Sequence, residues 1–177
     1  MSMSIRSRVA TSIATVAALG VLCAAGAAAF IYSGVYDVSA SAKDGPLITW
    51  LLHTTYERSL KHHAGHDLAP ADLMSLDNVR AGARLYDATC ALCHGAPDRP
   101  LSAVGEGIQP AAPHLLGAHR GNVPQQTFWV IKHGVNMTAM PSFGKTQSDQ
   151  TIWQLSAFLY DARGISKERY DALKSAQ

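Results

Sequence analysis

From Val9 to Tyr36 the chain carries no charged side chain, and an uncharged run of this length restricts what the first quarter can form. A helix needs about 20 apolar residues to cross the hydrocarbon core of a bilayer. The run also explains why only 16% of all residues are charged, against roughly 25% in an average soluble chain. The sequence therefore predicts a transmembrane anchor within residues 1–36.

A secretory signal peptide is the alternative interpretation of the same run. Its apolar core spans about 7–15 residues, so the length favours an uncleaved anchor, although Ala27–Ala29 would serve as a cleavage site. Arg6 and Arg8 precede the run, and basic residues favour retention of that end in the cytoplasm. Either interpretation exports the residues after about 38. We expect a single-pass protein of a bacterial inner membrane with its remaining domain in the periplasm.

The rest of the chain shows helical periodicity and no strand pattern. Residues 37–74 are predicted to form a polar linker followed by an amphipathic helix over Leu47–His63. Residues 75–177 are predicted to form an all-α domain with long loops, in which Ser75 or Asp77 caps the first helix. Nucleic-acid binding is not supported, because lysine and arginine do not cluster.

The sequence Cys90-Ala-Leu-Cys93-His94 is the strongest chemical motif. On a helix these three side chains lie near one face, and C-x-x-C-H is the signature of covalent haem c attachment. A redox dithiol would be expected in a βαβ context, and no strand precedes the motif. A structural zinc site needs four ligands, but the remaining cysteine, Cys23, lies in the apolar run.

A haem held in this way needs a second axial ligand, and Met137 and Met140 are the candidates downstream. A methionine opposite a histidine is the ligation of electron-transfer cytochromes c. A methionine in a loop more commonly fills a gap in apolar packing. The Met140-Pro141 pair, followed by Phe143 and Gly144, predicts a stiff turn that holds the thioether in place.

Taken together, these motifs resemble the class I monohaem cytochromes c. The resemblance covers about 95 of the 177 residues, and four stretches carry it: Cys90–His94, Pro113–Leu115, Met137–Gly144 and a closing helix with Trp153 and Phe158. It implies one covalently bound haem c on Cys90 and Cys93, with His94 and Met140 as the axial ligands of the iron. It also implies that the carbonyl of Pro113, or else of Pro110, accepts the imidazole N–H of His94.

The resemblance further implies that the first and last helices of the domain cross closely, which Gly82 would permit, with Tyr86, Trp153 and Phe158 packed around the crossing. Trp129 and Ile131 are expected in the core as well. His62, His63 and His66 form a dense group, for which a solvated helix end is favoured over a metal site. His133 is ranked far below Met140 as an iron ligand, and His114 and His119 are expected in exposed loops.

The function implied is electron carriage rather than enzyme catalysis. Single electrons would pass between periplasmic redox partners such as a quinol-oxidising complex, a dehydrogenase or a terminal oxidase. One alternative is a dedicated haem c subunit of a membrane-bound dehydrogenase complex, in which the helix over Leu47–His63 would bind a partner or lie on the membrane. Another alternative, a haem peroxidase or gas sensor, would require an open iron position.

Overall fold

A computed structural model describes residues 5–97 and 99–175, so the predicted limits at residues 1 and 177 lie outside the described part of the chain. The regular structure in that part is helical, which confirms the all-α prediction. The α-helices are α1 (Ile5–Ser33), α2 (Pro46–His63), α3 (Leu76–Leu85), α4 (Ala91–His94), α5 (Ala103–Glu106), α6 (Pro124–His133), α7 (Asp149–Asp161) and α8 (Lys167–Ser175). A π-helical turn, Tyr86–Cys90, joins α3 to α4, and a 3-10 turn, Phe143–Lys145, precedes α7.

The described chain divides into two compact units, one up to Ala42 and one from Lys43 onwards. Helix α1 makes up most of the first unit and has 29 residues, none of them buried. Among the described helices it is the one long and apolar enough to cross a membrane, a test that a signal sequence also passes. Helix α2 belongs to the second unit.

Local sequence signals set the limits of the main helices. The Ser75 hydroxyl accepts the N–H of Asn78 at the start of α3, and the Ser148 hydroxyl accepts that of Thr151 at the start of α7. Pro124 occupies the first turn of α6, and Gly134, with φ of 70°, ends it. Of the two predicted caps, Ser75 is therefore the one observed, and the helical segment that reaches the C-x-x-C-H motif consists of α3, the π-helical turn and α4.

Helices α3 and α7 cross at Gly82, as expected. A Cβ atom at Gly82 would lie 2.1 Å from the backbone oxygen of Gln154 and 2.7 Å from Cβ of Phe158. Tyr86 and Phe158 are fully buried beside the crossing, with ring centroids 5.3 Å apart. The predicted close approach is confirmed, and a side chain at residue 82 would separate the two backbones.

The aromatic residues of α6 differ in part from the prediction. Ile131 is buried, but Trp129 is only half-buried, and the neighbouring Phe128 lies fully in the core. The ring of Phe128 stacks on Trp153 with a centroid separation of 4.0 Å. Trp129 instead stacks on His63 of α2 at 6.0 Å. Helical periodicity predicts which residues of α6 share a face, but it does not predict which face other helices bury more completely.

Helix α8 is an addition to the predicted fold, in which the helix over α7 is the last one. Its sequence is mostly polar, and it buries only Tyr170 and Leu173. The Tyr170 hydroxyl donates a 2.8 Å hydrogen bond to the carboxylate of Asp87, in the π-helical turn. Arg99 donates to the same carboxylate oxygen at 2.9 Å. Helix α8 is thus fastened to the turn that leads into Cys90.

Because these hydrogen bonds are accepted by the carboxylate of Asp87, their contribution to stability depends on pH. Burial alone would raise its pKa, but the hydrogen bond from Tyr170 and the charges of Arg99 and Lys174 outweigh burial and hold the pKa below its ordinary value of 3.8. A carboxyl group with a lowered pKa in the folded state stabilises the fold above its unfolded pKa. That stabilisation is lost as the pH falls through the folded-state pKa.

We expect Asp87→Asn to lower the free energy of unfolding by about 1–2 kcal/mol at pH 7, because it removes a charge that accepts several hydrogen bonds. The difference from the wild type should stay constant down to about pH 5 and vanish in stronger acid. Denaturant titrations between pH 3 and pH 7 measure it. Tyr170→Phe is the matched variant and should lose part of the same energy, whereas a difference that persisted in acid would contradict the role of the charge.

Candidate functional site

Cys90 ends the π-helical turn, and Cys93 and His94 follow in α4. Both cysteines are half-buried. Burial, with a smaller contribution from the charge of Cys93, raises the pKa of Cys90 to about 12. With this pKa the Cys90 thiol is protonated at neutral pH, so its surroundings do not favour the reactive thiolate.

The ring of His94 is fixed by one hydrogen bond. Its Nδ1 lies 2.8 Å from the carbonyl oxygen of Pro113, and because a carbonyl can only accept, Nδ1 carries the proton. In a neutral imidazole this leaves Nε2 with a free electron pair, as a metal ligand requires. The contact joins the two residues that the resemblance paired, and it selects Pro113 over Pro110 as the partner of His94.

The protonation state of His94 also suits a metal ligand. Burial lowers its pKa more than the hydrogen bond to Pro113 raises it, and the charges of Arg120 and His114 lower it further. The imidazole is therefore neutral at pH 7. A protonated ring would have no electron pair to offer, so the tautomer and the pKa both fit the proximal position of a haem.

The loop between α6 and the 3-10 turn is held by its own hydrogen bonds. The carbonyl of Met140 accepts the N–H of Val135 at 3.1 Å, and the N–H of Met140 donates to the Thr138 hydroxyl at 3.1 Å. Gly134 is required here, because a Cβ at this residue would lie 2.7 Å from the carbonyl carbon of Pro141. The backbone around Met140 is thus fixed at several points.

The two candidate methionines occupy different environments. Met137 is 81% exposed and has φ of 59°, whereas Met140 is half-buried and packs against the hydrophobic core. Cys90 packs against the same core. Met140 and Cys90 are thus both partly buried against the hydrophobic core of the domain, whereas Met137 lies in solvent.

Asn122 is a positioning residue that the sequence analysis missed. Its side-chain amide donates to the carbonyl oxygens of Leu115 and Leu159, both at 2.8 Å, and so ties the loop after Pro113 to α7. Its φ of 43° is a conformation in which asparagine is enriched. The available sequence signal was the Gly121-Asn122 pair, a common turn composition.

The remaining histidines do not assemble into a metal site. Within residues 5–97 and 99–175, no group of three or more histidine, cysteine, aspartate or glutamate side chains is placed to hold a metal ion. In the group around α2, His62 and His63 pack edge to face, and Nε2 of His66 lies 3.3 Å from the carbonyl oxygen of His62. His114, His119 and His133 are exposed.

Comparison with known protein families matches part of the chain. A family model described as "Cytochrome C oxidase, cbb3-type, subunit III" matches residues 77–159. The matched range begins within α3, ends within α7 and contains Cys90, Cys93, His94, Pro113 and Met140. No curated protein sequence and no solved structure matches the chain.

Proposed function

We propose that the protein is a membrane-anchored carrier of single electrons. The premise is that residues 77–159 are a class I monohaem c-type cytochrome domain and therefore transfer electrons. The protein would work on the periplasmic side of a bacterial inner membrane, with α1 as its anchor. Its partners would be redox proteins such as a quinol-oxidising complex, a dehydrogenase or a terminal oxidase.

The hydrogen bond from His94 Nδ1 to the Pro113 carbonyl is the observation that carries the proposal. It orients the imidazole and leaves the electron pair of Nε2 free, so His94 would be able to hold an iron atom. In the proposed holoprotein Cys90 and Cys93 would hold the haem through thioether bonds, which their S–H groups could form with its two vinyl groups. The bound haem would supply a one-electron ferrous/ferric couple.

Met140 would complete the coordination on the opposite side. The restrained backbone around this residue supports that role, because a weak thioether ligand stays bound only where the loop positions it. If His94 and Met140 both held the iron, no coordination position would be left for a substrate. This arrangement favours an electron carrier over a peroxidase or a gas sensor.

A stable subunit of a larger oxidoreductase is the second candidate. The matched family model is described as a subunit of a terminal oxidase, and α2 exposes several apolar side chains. The exposed side chains of α2 would equally suit a haem c subunit of a membrane-bound dehydrogenase complex. Purification in mild detergent distinguishes a stable subunit from a free carrier. Co-purification of a stoichiometric partner would support the subunit, and a single species made of this chain alone would support the free carrier.

A redox titration of the full-length protein in detergent tests the carrier function. We expect one transition with the slope of a single electron, and no binding of carbon monoxide to the reduced protein within seconds. Rapid carbon monoxide binding by the wild type would contradict two filled axial positions and favour the sensor or the peroxidase.

A further inference from the structure

Helix α2 has two halves with different surroundings. In its C-terminal half Tyr56 is half-buried, and burial raises the pKa of its hydroxyl. The ring of His63 stacks on Trp129 of α6, with centroids 6.0 Å apart and planes 10° from parallel. These contacts hold α2 on the second unit, so that it moves with the domain and not as a separate segment.

The N-terminal half of α2 presents an apolar face that the described part of the second unit does not cover. Leu47, Trp50 and Leu51 are 73%, 62% and 54% exposed. Their spacing of three and four residues places them on one face, roughly opposite the face with Tyr56 and His63. No aspartate, glutamate, lysine or arginine occurs between Pro46 and Tyr56.

The same face becomes basic further along α2. Arg58 and Lys61 continue it about two and three turns beyond Leu51, and both are exposed. Glu57 lies at the margin of this face. An apolar stretch with tryptophan followed by cationic side chains is the composition of helices that lie at the boundary between lipid and water. The cations would reach lipid phosphates while the apolar side chains enter the acyl region.

The chain between α1 and α2 limits how far this face can lie from a membrane that holds α1. Residues 34–45 span at most about 40 Å when fully extended. Two local hydrogen bonds shorten them, one from the Ser39 N–H to the Asp37 carboxylate at 2.8 Å and one from the Ala42 N–H to the Ser39 carbonyl at 3.1 Å. A linker of this length allows the first turn of α2 to reach the surface of a membrane that holds α1.

We propose that the N-terminal half of α2 lies in the lipid–water boundary of the membrane and that its C-terminal half holds the electron-transfer domain in a defined orientation to that surface. The proposal rests on the proposed anchoring by α1. Leu47, Trp50 and Leu51 insert, and Arg58 and Lys61 contact phosphate groups. The His63–Trp129 stack is the joint that transmits this orientation to the domain.

Spin labelling of the full-length holoprotein in phosphatidylcholine–phosphatidylglycerol vesicles tests the proposal. One label is placed through Leu51→Cys and a matched label through Thr49→Cys, both in a Cys23→Ser background. Thr49 is exposed but lies on the opposite face at the same height. We expect the ratio of collisions with oxygen to collisions with a water-soluble nickel chelate to be several-fold higher at residue 51 than at residue 49.

Equal ratios at the two positions would overturn the proposal. So would a Leu51→Cys label that is accessible to the chelate in vesicles but becomes immobilised in native membranes, a result that indicates a protein partner. A label on Cys23 of the otherwise unchanged chain separates this test from that of the anchor. If Cys23 is in lipid and residue 51 is in water, only the role of α2 fails; if Cys23 is also in water, the anchoring fails.

Discussion

Replacement of Met140 with alanine is expected to lower the midpoint potential of the protein by more than about 100 mV, a fraction of the roughly 0.8 V that axial ligands span in haem proteins. A thioether stabilises the ferrous state, so its removal favours the ferric state. The vacated position should also allow the reduced protein to bind carbon monoxide. Potentiometric titration and absorption spectra with and without carbon monoxide measure both effects.

Met137→Ala is the matched control, because the two residues lie three apart in one loop but differ in burial. Met137 is 81% exposed, and its replacement should leave both the potential and the spectra unchanged. The assignment of Met140 would be wrong if Met137→Ala produced the large shift. His133, which also lies near this loop, would become the candidate if neither variant had an effect.

A second large effect is expected from Gly82→Ala, which should lower the free energy of unfolding by about 3 kcal/mol or more. Alanine normally stabilises a helix interior by about 1 kcal/mol relative to glycine. Here the added Cβ would lie 2.1 Å from the Gln154 backbone oxygen, and a backbone atom of a packed helix cannot move away alone. The crossing of α3 and α7 must widen, which disturbs the core contacts that pack around it.

Denaturant titration of the variant holoprotein measures this loss. Gly107→Ala is the control, because the nearest atoms to a Cβ at Gly107 lie 3.5 and 3.7 Å away, which is ordinary contact. That variant should stay within about 0.5 kcal/mol of the wild type. If Gly82→Ala were as stable as Gly107→Ala, the two helices would not be in close contact at this position.

The sequence predicted those parts of the fold that depend on local signals. Ser75, Ser148, Pro124 and Gly134 mark helix limits through hydrogen bonds and backbone preferences that involve only a few neighbouring residues. The long uncharged run and the C-x-x-C-H motif are local as well. For this reason the order of the main helices and the candidate site residues could be stated before the structure was known.

The features that were missed depend on partners that are distant in the sequence. Helix α8 is polar and is held by Tyr170, whose partner Asp87 is 83 residues away. Asn122 ties one loop to the carbonyl of Leu159, which is 37 residues away. Trp129 is half-buried because α2 covers it. None of these contacts has a pattern that periodicity or motif spacing can reveal.

The burial and hydrogen bonds of the candidate site residues likewise became visible only in the structure. Spacing alone left Met137 and Met140 as alternatives, and only the resemblance preferred Met140. The burial of Met140 against the hydrophobic core, compared with the 81% exposure of Met137, supplies an independent physical argument for that choice. The same holds for Pro113, whose carbonyl lies 2.8 Å from Nδ1 of His94.

Mass spectrometry of the purified protein after denaturation tests the central claim most directly. The account predicts the mass of the chain plus one haem, retained under conditions that extract non-covalent haem. The increment should be located on the peptide that contains Cys90 and Cys93. A mass equal to that of the polypeptide alone, with the haem absent or extracted by the denaturant, would contradict covalent attachment and the carrier proposed here.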